Sequence, residues 1–70
     1  MLIVTTQNST YRIEVSLPPF FVITKLKGDG GYWLKAGEQG LVKHIGLGIG
    51  ASAFFDSVRT SPVRSITEEP

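Results

Sequence analysis

Tyr11, Ile13, Val15 and Leu17 alternate with Arg12, Glu14 and Ser16, the cleanest period-two pattern in the chain. Such alternation predicts a strand with one face buried and the other in water. Ahead of it, Leu2, Val4 and Thr6 alternate with Ile3 and Thr5, an extended start. Gln7-Asn8-Ser9 between them reads as a turn, or as a polar bulge inside one long strand. Pro18-Pro19 ends the second segment. Residues 20–27 (FFVITKLK) are rich in β-branched and aromatic side chains and predict another strand. Gly28-Asp29-Gly30-Gly31 predicts a tight turn that returns residues 32–35 as a hairpin partner. Residues 36–40 read as a loop and residues 41–45 as a short strand. Residues 46–55 are compatible with strand, loop or helix. Residues 58–66 (VRTSPVRSI) predict a last strand, with Pro62 at an edge or a bulge.

Eight glycines and four prolines break every helix-length window except one near residues 51–61. The expected fold is therefore all-β: a small barrel or sheet of SH3-like size with about five short strands. An α+β alternative places one short helix at residues 51–58. The domain reads as residues 1–66, followed by a polar tail at residues 67–70. A chain of 70 residues holds one domain at most. A core of that size offsets its ordering entropy only narrowly, so small chains lean on staples or on oligomerisation. There is no cysteine, which removes disulfides and thiolate metal sites, and the single histidine, His44, removes His-pair metal centres. No metal and no cofactor are expected. The longest weakly polar stretch, residues 45–55, is too short to span a bilayer. No basic start, apolar run and small-residue cleavage site opens the chain, and a cytoplasmic protein is expected.

Gly46-Leu47-Gly48-Ile49-Gly50-Ala51 matches G-x-G-x-x-A in form. A dinucleotide site would also need a preceding strand, a following helix and an acidic residue ~20 positions on, and the chain is too short for a second βαβ half. A glycine-rich segment approached by another backbone is the plainer reading; backbone amides cradling a phosphate is the functional one. Glu14, Asp29, Glu38 and Asp56 show no spacing that forces a catalytic carboxylate pair. One histidine without a paired acid makes a nucleophilic triad improbable. No enzyme is expected.

Formal net charge is +1, but setting aside Glu68 and Glu69 leaves seven basic against four acidic groups, +3 over residues 1–67. Lys25 and Lys27 stand at i, i+2, nominally on one strand face. Tyr32-Trp33-Leu34-Lys35 would return beside them, and rings next to cations stack bases and hold phosphates. The plain alternative is an edge strand whose lysines block aggregation. The aromatic doublets Phe20-Phe21, Tyr32-Trp33 and Phe54-Phe55 carry a further expectation. Strand neighbours point to opposite faces, so one member of each pair should face out. Ile23 shares the parity of Phe21. Three large outward rings exceed what a small monomer exposes. Phe20, Phe21, Ile23, Phe54 and Phe55 are therefore expected at a homo-oligomer interface, with ligand pockets repeated between subunits.

The segments Thr5-Thr6-Gln7-Asn8-Ser9-Thr10-Tyr11 and Arg59-Thr60-Ser61-Pro62-Val63-Arg64-Ser65-Ile66 resemble the two ends of a group of small bacterial and phage proteins. Those chains open with T-x-N-S-x-Y, carry a glycine-rich middle and close with T-S-P-V. The resemblance covers the ends only and implies a bacterial or phage setting, with the host cytoplasm as the compartment for a phage protein. It implies no activity. The resulting expectation is a non-catalytic homo-oligomer that sequesters a small anionic ligand, a nucleotide signal. An anti-defence role rests on the phage resemblance together with the expected small pocket between subunits. Tyr32 and Trp33 would stack the base. Lys35, Lys43, His44 and Arg59 would meet phosphates, and Asn8, Thr60 and Ser61 would add hydrogen bonds. The competing expectation is a structural or interaction module that binds a protein or nucleic acid through the same aromatic–basic surface.

Overall fold

The alternating segments fold as strands, and so does most of the ambiguous remainder. The computed structural model describes residues 1–28 and 33–69. Among them are seven strands and no helix: β1 (Leu2–Thr6), β2 (Thr10–Val15), β3 (Phe21–Lys27), β4 (Gln39–Val42), β5 (Ile45–Gly46), β6 (Ser52–Phe55) and β7 (Val58–Glu68). They form one sheet in the order β4-β3-β2-β1-β7-β6-β5, with every neighbouring pair antiparallel. No helix among the described residues is long and apolar enough to cross a membrane.

The connection between β4 and β5 shapes the sheet. These strands are its two edges, yet only Lys43 and His44 join them. A flat sheet of this order would hold its edge strands roughly 29 Å apart, at ~4.8 Å per gap. Three Cα steps from Val42 to Ile45 reach about 11 Å at most. The sheet must therefore curl, and it forms a half-barrel. Three bulges add twist where the curl is needed. Arg64 is the extra residue between the pairs Thr5↔Ser65 and Thr6↔Val63. Leu26 is the extra residue between Thr10↔Lys27 and Tyr11↔Lys25. Thr60 and Ser61 together oppose Ala53. At this last bulge the Thr60 hydroxyl accepts the Ala53 N–H at 3.0 Å, supplying the acceptor that the ladder lacks there.

The concave face carries the core: Val4, Tyr11, Ile13, Ile23, Leu34, Val42, Ala53, Phe55 and Val63. Phe55 is fully buried at its centre. Tyr11 meets it edge-on at 5.2 Å between centroids, and Trp33 lies at 5.8 Å and 37°. Aromatic pairs at such spacing add about 0.5–1.5 kcal/mol beyond area burial.

Several expectations are corrected. Seven strands replace about five, and residues 52–55 are β6 rather than part of a short helix. Tyr32 lies outside the described residues, but Trp33, Leu34 and Lys35 belong to no strand. The partner of β3 is Gln39–Val42, which includes part of the expected loop. The physical reason is a turn anchored on Lys25. Its backbone N–H donates to the Glu38 carbonyl at 3.0 Å, and its carbonyl accepts from Gly37 N–H at 2.7 Å. Gly37, at φ 92°, makes the bend. Lys25 Nζ donates to the Leu34 carbonyl at 3.1 Å, holding Leu34 in the core. The Leu26 bulge separates the two lysines, leaving Lys25 buried and Lys27 exposed, so they form no common cationic face. Pro62 sits in β7, an interior strand, and is accommodated by the bulge beside it. Thr67 and Glu68 are not tail but the end of β7, paired with Ile3 and Leu2.

The interface expectation also changes. Ile23 and Phe55 have 0% exposure within the single chain, so neither has surface for a second copy to cover. Phe21 packs on the core, and Phe20 is half-buried. Of the interface doublets, only Phe54 is well exposed, at 39%. Curling and the non-strand path of residue 33 place rings that a flat, regular strand would have turned outward.

Gly40 lets Trp33 lie against β4. A Cβ at Gly40 would stand 2.7 Å from Trp33 Cζ2. Trp33 also packs towards Phe55, so it has little room to withdraw. Gly40→Ala is expected to lower stability by about 1–3 kcal/mol, the usual cost of overpacking, and to shift Trp33 emission. Unchanged urea unfolding and emission would contradict this packing.

Candidate functional site

The β6–β7 turn gathers three of the residues expected to meet phosphates. Asp56 occupies the left-handed region at φ 57°, which Asp tolerates better than most residues. From there its carboxylate accepts the Lys43 N–H at 3.2 and 3.3 Å and the His44 N–H at 2.9 Å. Its own N–H donates to the His44 carbonyl at 2.8 Å. The turn thus clasps the crossing between the sheet edges, and both Lys43 and His44 expose their side chains.

Beside the turn, Gly46, Phe54 and Arg59 form a cross-strand row over β5, β6 and β7. Phe55 points into the core, so its neighbour Phe54 points out. Gly46 leaves the strand surface bare next to the ring, with a virtual Cβ 3.5 Å from Phe54 Cδ2. The Arg59 guanidinium lies over the ring at 4.7 Å. Lys43 Nζ stands 5.4 Å from the Phe20 centroid. The expected combination of rings and cations exists, but Phe54 and Phe20 supply the rings.

Asn8, Thr60 and Ser61 meet elsewhere, at the corner where the β1–β2 turn touches the β7 bulge. Asn8 N–H donates to Ser61 Oγ at 3.1 Å, and Ser61 Oγ donates to Thr6 Oγ1 at 2.9 Å. Thr6 Oγ1 donates to the Ser9 carbonyl at 3.1 Å and accepts from Ser9 N–H at 3.0 Å. Thr60 Oγ1 donates to the Ser61 carbonyl at 2.7 Å. Gln7 N–H reaches the Pro62 carbonyl at 2.9 Å. The two end segments that carry the sequence resemblance therefore form one hydrogen-bonded corner. An adjoining pocket of about 220 Å³ is lined by residues 5–10, Lys27 and Gly28. Its turn amides at Thr6, Gln7, Asn8 and Ser9 are all donated within the protein, which leaves none of them for an anion.

The glycine-rich segment is strapped to β7. Gly50 N–H donates to the Val63 carbonyl at 2.8 Å and Ala51 N–H to the Gly48 carbonyl at 3.2 Å. The segment leads into strand β6, so the helix N-terminus of a dinucleotide site is missing. Trp33 is half-buried against Gly40 and Phe55, and Lys35 is exposed at the turn where its N–H meets Glu38 Oε1 at 2.8 Å. Of the nine expected ligand residues, Tyr32 lies outside the described residues and the other eight fall into three places rather than one. Among the described residues, no three His, Asp or Glu side chains are grouped to hold a metal. Sequence reasoning expected Phe54 at a subunit contact and missed its pairing with Arg59; its outward parity was the available signal. No protein-family model, curated protein or solved structure matches the chain.

Ser61→Ala removes both the donor to Thr6 Oγ1 and the acceptor of Asn8 N–H. A loss of about 1–2 kcal/mol in urea unfolding is expected, since hydrogen bonds contribute ~1 kcal/mol each. Wild-type stability in this variant would show that the corner does not hold the turn.

Proposed function

We propose that this is a non-catalytic binding protein that takes a planar anionic ligand, a nucleotide, on the column formed by Gly46, Phe54 and Arg59. The observation that carries the reading is an exposed phenylalanine already capped by a guanidinium at 4.7 Å. A guanidinium plane stacks on rings and also accepts a base on its outer side. The column is thereby preorganised: Arg59 is ordered on Phe54 before any ligand arrives, which lowers the entropy cost of binding. The Asp56 clasp holds the Lys43 and His44 backbone, so that Lys43 supplies a cation for a phosphate with the His44 ring as a hydrogen-bonding neighbour. Lys35 and Trp33 have no part in this reading, and Asn8, Thr60 and Ser61 serve the fold.

The same platform supports a second reading. It lies on the outer face of the curled sheet and is open, so a single-stranded nucleic acid could pass across it with one base on Arg59. Two copies meeting over Phe54 would cover the column, so dimerisation and ligand binding would compete.

Phe54→Ala and Arg59→Gln should each weaken nucleotide binding by about 1–3 kcal/mol, the worth of one base–aromatic stack. Titration calorimetry with linear and cyclic nucleotides measures this, and higher salt should weaken binding further. Trp33→Ala should change stability and leave affinity intact. Tighter binding of a short oligonucleotide than of any mononucleotide would favour the second reading. Binding of none of these ligands, or full affinity in Phe54→Ala, would refute the platform.

A further inference from the structure

The outer face of β2, β3 and β4 carries a cation, Arg12, whose Nε finds no hydrogen-bond partner among the described residues. Arg12 pairs in register with Thr24, and Thr24 with Gln39, so the three side chains share one face. Their strand neighbours Ile13 and Ile23 lie in the core, which makes this face the outer one. Arg12 is half-buried, and its Nε is shielded from solvent without a hydrogen-bond partner. Its guanidinium makes no ion pair among the described residues. Glu14, two positions along the same face, is not paired with it. Thr24 is also buried; its Oγ1 accepts Gln39 Nε2 at 3.1 Å, and its hydroxyl hydrogen meets no described acceptor. The row therefore has an excess of donors and one positive charge. That chemistry is complementary to an oxyanion.

An apolar groove adjoins the row. Val22 and Leu41 are cross-strand partners one step along the same face. With Gln39 and Gly40 they line a groove of about 490 Å³, and Leu41 is 63% exposed. Gln39 belongs to both the polar row and the groove. We propose that this face binds a small monocarboxylate. Its oxygens would meet Arg12 and Thr24, and its alkyl or aryl body would lie on Val22 and Leu41. The volume lies within the ~300–1,000 Å³ range of small-molecule sites. Glu14, opposite Val22, disfavours a second carboxylate on the body. The site occupies β2 to β4, whereas the Phe54 column occupies β5 to β7, so the two are separable by experiment.

The test is titration of the whole protein with octanoate and with octanamide, followed by NMR at Arg12 Nε–Hε and the Val22 and Leu41 methyls. Octanoate should shift all three sets. Octanamide, with the same body and no charge, should bind about 10- to 100-fold more weakly, as expected for losing a charge-assisted hydrogen bond. Arg12→Gln should weaken octanoate by a similar factor, and Phe54→Ala should leave it unchanged. Equal binding of octanoate and octanamide, or shifts at Phe54 in place of Leu41, would overturn the proposal. Tighter binding of a short peptide ending in leucine than of octanoate would overturn its small-acid identity. If Arg12→Gln fails to fold, the comparison of octanoate with octanamide on the unaltered protein decides.

Discussion

The two-residue crossing from β4 to β5 is the constraint on which the rest depends. It ties together strands at opposite edges of a seven-stranded order. The Asp56 carboxylate bonds both crossing amides, so the clasp restrains backbone and not only side chains. Once the edges are drawn together, the concave face must enclose a core, and Phe55 fills its centre between Tyr11 and Trp33. The same turn follows the outward-facing Phe54 and, through Asp56, bonds the backbone of Lys43 and His44. Fold and candidate platform thus share one cause.

The strands with clean alternation were legible in the sequence. The Tyr11 pattern, the β-branched run after the prolines and the last strand all appear within a few residues of their expected positions. What was not legible depends on contacts distant in sequence. Residues 33–38 bend because Lys25 bonds both the Glu38 and Gly37 backbone and the Leu34 carbonyl. Lys25 shares the inward parity of Ile23, but what a buried lysine bonds there depends on residues distant in sequence, and the bulge at Leu26 turns Lys27 outward. Phe54-Phe55 sits where breakers are sparse and side chains do not alternate, so helix and strand were both open. Pairing with β7 decided it.

The candidate site was less legible than the fold. Composition suggested rings beside cations, and such pairs exist, but the partners were set by register. Arg59 faces Phe54 because the β6–β7 turn is short, which no spacing rule along the chain could identify. Asn8 and Ser61, assigned to a ligand, bond each other across most of the chain length. Short polar residues near turns serve backbone groups at least as readily as ligands, and here the register made them neighbours. Arg12 drew no attention in the sequence because an alternating strand normally presents a solvated cation on its outer face. Only its shielded Nε, seen in the folded chain, marks it as different.

The clasp itself can be measured directly by hydrogen exchange of the Lys43 and His44 amides, observed by NMR. Both residues lie outside strands with exposed side chains, so an unclasped link would exchange like a free peptide. The account predicts that both amides are protected, with opening free energies approaching that of global unfolding. Exchange of both at random-coil rates, while the β1 and β2 amides stay protected, would contradict it. The sheet would then owe its curl to something other than the Asp56 clasp.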